Sequence, residues 1–68
     1  MQRHLSGFGR RLRKARRARG WTQDGLAGRA GTSGAYIGRL ERGEYDPTLG
    51  LVTRLAKALR VDIVALVK

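Results

Sequence analysis

The chain contains no cysteine, so disulfide staples and thiolate zinc sites are excluded and the redox compartment is left open. Its one histidine, His4, has no second ligand or paired carboxylate in the surrounding sequence, so a metal or catalytic role is not expected of it. Clusters of nucleophile, general base and metal ligands are missing throughout; the chain reads as a non-enzyme with no cofactor and no metal. Long hydrophobic runs are missing too. The longest, Ile63 to Val67, falls far short of the roughly 20 residues a bilayer span needs. Charge at the N-terminus is not followed by an apolar stretch, so a signal peptide is not expected, and the expectation is a cytoplasmic protein without a membrane partner.

Acids are scarce. Five Asp and Glu stand against 15 Lys and Arg, for a net charge of +10 over 68 residues. A small domain this basic attracts a polyanion, most often nucleic acid, less often an anionic membrane or an acidic protein. The distribution is uneven. Residues 1–20 hold Arg3, Arg10, Arg11, Arg13, Lys14, Arg16, Arg17 and Arg19 and not one acid. Two accounts of that run stay open: a solvated face that steers an anion from a distance, and residues 1–6 as a flexible basic arm ahead of a domain at 7–68.

Glycine, a single proline and small polar residues divide the rest into helical segments with short joints. The first runs from about Gly7 to Arg19, with Leu5, Phe8, Leu12 and Ala15 on one side at helical spacing and Gly20 as a left-handed stop. Thr22 opens the second as an N-cap, and it continues to Ala30 with Leu26, Ala27 and Ala30 inward. After the Gly31-Thr32 turn, Ser33 caps a third helix reaching about Arg42. Pro47 ends the following loop, Thr48 caps a fourth helix from roughly Leu49 to Arg60, and Asp62 caps a short fifth, Ile63 to Val67. On the fourth helix Leu49, Val52, Leu55, Ala56 and Leu59 share the face expected to turn to the core. No segment alternates with period two. The fold expected is all-α, a compact five-helix domain.

Two short helices joined by a tight glycine turn, the second of them basic, form the helix-turn-helix pattern. Ala27 is small where the helices would cross; Leu26, Ala30, Ile37 and Leu40 would fill the seam. One feature of the third helix is odd. Tyr36, Ile37 and Leu40 make an apolar stripe, yet the opposite face is nearly without side chains: Gly34, Ala35 and Gly38, flanked by Arg39 and Arg42. In a helix-turn-helix that outer face enters the major groove. Ala35 is then placed to touch a thymine methyl and Arg39 to make a bidentate contact to guanine, with Gly34 and Gly38 letting the backbone sit deeper.

Arg16 ahead of Gly20, the Thr22-Gln23 pair, "LA" at 26–27, Gly31, "YIGRLERG" at 36–43, Pro47 and "LAKAL" at 55–59 resemble the Cro/repressor-type (XRE-like) helix-turn-helix family. The resemblance covers nearly all of the chain from Phe8 onward. It implies a five-helix, phage-repressor-like DNA-binding domain, most often a dimeric transcriptional regulator or repressor on palindromic duplex DNA. It also implies roles. Helix 33–42 would read bases through Arg39, Ala35, Gly34 and Gly38. Thr22, Gln23, Ser33, Arg42 and Thr48 would lie along phosphates, as would Tyr36, for which half-buried packing is the equal alternative. Arg16 and Glu41 match the family's structural ion pair. Trp21 reads as a staple against the core. Apolar surplus at Leu51, Ile63, Val64 and Val67 reads as a homodimer interface. Arg60 departs from the family, which has glycine after "KAL", so that turn is strained or capped differently. Glycine at 34 and 38 departs as well and leaves few direct hydrogen bonds for base reading. Two rivals stay open: an antitoxin-type protein-interaction module, and a nonspecific nucleic-acid binder driven by charge.

Overall fold

The computed structural model describes residues 7–68; the expected basic tail, with Leu5 and His4, lies outside the described residues. Five helices follow in order: α1 (Phe8–Ala18), α2 (Gln23–Ala30), α3 (Gly34–Glu41), α4 (Leu49–Leu59) and α5 (Ile63–Val67). There is no strand among the described residues.

Four of the five helices start on the residue whose side chain can accept from their own first turn. Thr22 Oγ1 accepts from the Gly25 amide at 2.9 Å, Ser33 Oγ from Tyr36 at 3.1 Å, Thr48 Oγ1 from Leu51 at 3.1 Å and Asp62 Oδ1 from Val64 at 3.1 Å. Such caps are each worth about 1 kcal/mol, and together they fix where the short helices begin. α1 is the exception, entered through a left-handed Gly7 with no side-chain cap. Between α2 and α3, Gly31 takes φ 73° and the Thr32 amide donates to the Ala27 carbonyl at 2.9 Å. This closes the end of α2 and turns the chain sharply into α3.

Every helix contributes to one core: Phe8 and Leu12, Leu26 and Ala27, Ile37 and Leu40, Val52, Leu55 and Leu59, and Leu66 are all buried. α2 packs on α3 and α4, α1 on α3 and α5, and α4 on α5. The α1–α3 crossing is unusually close. A β-carbon on Gly9 would strike the backbone carbonyls of Leu40 and Glu41, so only glycine lets α1 lie against the last turn of α3.

On α4 the inward direction differs from the expected one. Leu51, expected at a dimer interface, is buried at 4 % exposure, whereas Leu49, expected in the core, is 76 % exposed. The buried arc centres on Val52, Leu55 and Leu59 and reaches Leu51 on one flank and Ala56 on the other. Leu49, the first residue of the helix, lies just past Ala56 on the wheel and outside the buried arc.

The α4–α5 turn is closed by Arg60 at φ 57°, the sole positive-φ residue other than glycine among the described residues. Its amide donates to Lys57 O at 3.2 Å and that of Val61 to Ala56 O at 3.0 Å, the same closure glycine makes elsewhere. A β-carbon in this conformation costs about 1–2 kcal/mol, part of which glycine would return through its freer unfolded chain. Arg60→Gly is therefore expected to stabilise the domain by up to about 1 kcal/mol, raising the melting temperature by several degrees (about 4–8 °C per kcal/mol at this size). Thermal unfolding by circular dichroism checks it.

Candidate nucleic-acid interface

The surface around α3 is organised by one charged node. Arg16, a buried cation on α1, donates from Nε to Glu41 Oε2 at 2.6 Å and from Nη2 to Glu41 Oε1 at 3.0 Å. Its third nitrogen, Nη1, donates to the Trp21 carbonyl at 2.8 Å. Gln23, the first residue of α2, donates from Nε2 to Glu41 Oε1 at 3.2 Å. The planar guanidinium fork suits this arrangement, as lysine would not. Burial pushes the Glu41 carboxyl up. Hydrogen bonds from Arg16 and Gln23 and the charges of Arg16 and Arg13 outweigh it, and the group sits below its ordinary pKa. Arg16 is raised, chiefly by its hydrogen bond to Glu41 and against the cost of burial. The ends of α1, α2 and α3 are thus pinned to one carboxylate.

Two further contacts hold the scaffold. Arg19 donates from Nε and Nη2 to the Leu59 carbonyl at 3.0 and 2.6 Å, joining the end of α1 to the end of α4. Trp21 packs against the core while the Arg29 guanidinium lies 4.0 Å from its ring centre, a cation–π contact that covers the outer face of the ring.

The outer face of α3 is less bare than its residues suggest. Ala35 and Arg39 are exposed, but Gly38 is buried and Gly34 half-buried. A β-carbon on Gly34 would collide with the Asp24 carboxylate, and one on Gly38 would come within 3.2 Å of both Arg42 Nη1 and Gln23 Oε1. These two glycines differ from their expected place on an open reading face: they let the first turn of α2 settle onto α3. Gln23 likewise does not hang free, being tied to Glu41 and half-buried. Tyr36 is half-buried, packed against the core with its ring centre 5.8 Å from that of Tyr45.

The exposed cations of this face share an acid that sequence reading did not single out. Glu44 Oε2 accepts from Arg42 Nε at 2.7 Å, and its Oε1 lies 3.8 Å from Arg39 Nη1. Arg39 also lies 5.6 Å from the Tyr45 ring centre. The hydrogen bond from Arg42 holds the Glu44 carboxyl below its ordinary pKa. Spacing along the chain gives some signal for the Arg42–Glu44 pair, but the loop that curls Glu44 and Tyr45 back toward α3 has none. Thr22, Ser33 and Thr48 are all exposed, their hydroxyls engaged as caps, so three helix N-termini reach the surface. Ile63, Val64 and Val67 line α5, with Val64 half exposed. No group of His, Asp and Glu among the described residues is disposed to hold a metal ion.

Two short helices crossing at a left-handed glycine turn, the second showing an exposed Ala/Arg edge beside the capped start of the first, define a helix-turn-helix. The helix-turn-helix domain family model matches residues 8–67, and the chain belongs to that family. It is 41% identical over 59 residues to the uncharacterized HTH-type transcriptional regulator y4dJ of Sinorhizobium fredii, covering 87% of this chain and 77% of that protein. It is 35% identical over 55 residues to the uncharacterized HTH-type transcriptional regulator YazB of Bacillus subtilis, covering 81% and 80%. Among solved structures it superposes with a TM-score of 0.87 on the restriction-modification controller protein C.AhdI from Aeromonas hydrophila, at 39% identity over 91% of this chain and 94% of that one.

The Glu41 node sets a pH dependence. A carboxyl whose pKa is lowered by folding adds stability that is complete above the unfolded value of about 4.3 and is lost as pH falls through the lower folded value. Glu41→Gln is expected to be less stable than the parent at neutral pH, with the gap closing between about pH 5 and pH 2. Urea unfolding midpoints for both proteins across that range measure it; parallel pH curves would show that the carboxyl is not coupled to folding.

Proposed function

We propose that the domain is a sequence-specific regulator of transcription that binds duplex DNA in the cytoplasm, by binding and not by catalysis, and acts as a homodimer. The observation that carries this reading is the exposed edge of α3. Ala35 and Arg39 stand out from a backbone that is otherwise occupied by α2, and the capped start of α2 lies beside them. α3 enters the major groove, where Arg39 reads a guanine and Ala35 a thymine methyl. The exposed N-termini at Thr22, Ser33 and Thr48 present amides to phosphates, and Gln23 and Arg42 add side-chain contacts. Tyr36 serves packing more than contact, and Gly34 and Gly38 act through the α2–α3 seam and not as readers. Few bases are read directly, so DNA shape and bridging water supply the rest.

With Leu51 in the core, the dimer surface reduces to α5, where Val64 is half exposed and Ile63 and Val67 partly so. A two-fold dimer sets its reading helices about one DNA turn apart, which calls for half-sites spaced by about 10 bp.

Selection from a random duplex pool at about 150 mM salt, where purely electrostatic binding is weak, tests the reading. Convergence on an inverted repeat with that spacing is expected; no convergence, with binding that vanishes as salt rises, rejects it. On the selected site, Arg39→Ala should relax preference at one base position by about 1–3 kcal/mol, while Gln23→Ala weakens binding to all sequences alike. Unchanged relative affinities in the Arg39 variant would show that it reads no base. Val64→Asp, at an exposed position, should shift sedimentation from dimer to monomer without unfolding the domain.

A further inference from the structure

We infer that the basic ridge of α1 is a second phosphate-binding surface, occupied by the duplex that flanks the site read by α3; the inference rests on the reading of α3 just given. Arg10, Arg13, Lys14 and Arg17 are all exposed and line one shallow depression along the helix. Among the described residues none of them is ion-paired with a carboxylate. In this they differ from Arg39 and Arg42, which share Glu44.

The spacing is itself informative. Residues 10 and 13, 10 and 14, 13 and 17, and 14 and 17 are i,i+3 or i,i+4 neighbours, and like charges so placed oppose helix formation. A merely solvated face needs no such concentration. An anion laid along it relieves the repulsion.

The ridge is continuous with the interface. Arg10 also lines a second depression, shared with Gly7, Gly9, Glu41, Arg42 and Gly43. The missing side chain at Gly9 brings α1 against the end of α3, and the Glu41 charge there is already taken by Arg16. A cationic track therefore runs from Arg42 over a glycine saddle and up α1. Arg10 to Arg17 spans about 10 Å at 1.5 Å per residue, the rise of about three nucleotides of one DNA strand at 3.4 Å each. A membrane is a poor occupant, because Phe8 and Leu12, the apolar face of α1, are buried and no large apolar side chain of the helix is left exposed to insert.

The test uses the full chain and two duplexes carrying the selected site, one ending at its edges and one extended by about 10 bp on each side, a full turn. Affinity is measured against salt, and the backbone is footprinted with hydroxyl radicals. The parent protein should bind the extended duplex with a steeper salt dependence, by about 2–3 log units of affinity per log unit of salt for each protomer (about 0.9 per phosphate), and should protect the flanks. Combined Arg10→Ala, Arg13→Ala and Arg17→Ala should bring that slope down to the short-duplex value, remove the flank protection and leave the selected sequence unchanged. The corresponding lysine replacements, which keep the charge, should retain both. Equal loss of affinity on the two duplexes, or a footprint of unchanged width in the alanine variant, overturns the flank assignment alone. Absence of any site-centred protection overturns the reading of α3 and this assignment with it.

Discussion

The Arg16–Glu41 pair is the constraint on which the rest of the interface depends. It joins α1 to the last turn of α3, and through Gln23 and the Trp21 carbonyl it also fixes the start of α2. Ion pairs withdrawn from water are weak evidence for stability, because desolvation offsets much of the attraction. What this one supplies is geometry. A two-point fork with its third nitrogen on a carbonyl permits a single orientation of three helix ends, and no buried polar side-chain atom among the described residues is left without a partner.

Small residues let that geometry close. Gly9 admits α1 to the backbone of α3, and Gly34 and Gly38 admit Asp24 and Gln23 of α2. The helix-turn-helix is accordingly compressed from both sides, with Ala35 and Arg39 left as the projecting edge. The oddity of a glycine-rich helix face thus has a packing cause: a surface stripped for close helix contact also presents very few side chains to solvent.

Local chemistry explains how much of this could be read in advance. Caps at Thr22, Ser33, Thr48 and Asp62 depend on a side chain and an amide two or three residues on, and all four were legible, as was the left-handed turn at Gly31. Arg16 and Glu41 were paired through family resemblance, since nothing in their separation of 25 residues announces a contact. The failures are all directional. A helical wheel places Leu49, Leu51 and Gly38 by angle, but which angle faces inward is decided by neighbours the wheel does not contain. Arg19 on the Leu59 carbonyl and Glu44 beside Arg39 escape for the same reason: loop geometry and distant chain segments create them.

Glu44 gives the exposed edge of α3 a resident counter-ion. Arg39 and Arg42 already have partners in the folded chain: the Glu44 carboxylate beside both and, for Arg39, the Tyr45 ring. Such exposed pairs are individually weak, because water and salt screen them, but they bias where the two guanidinium groups point. The same carboxylate must be displaced by whatever takes those arginines. Any arriving anion competes against an acid already in place, so a poorly aligned encounter with these two cations gains little.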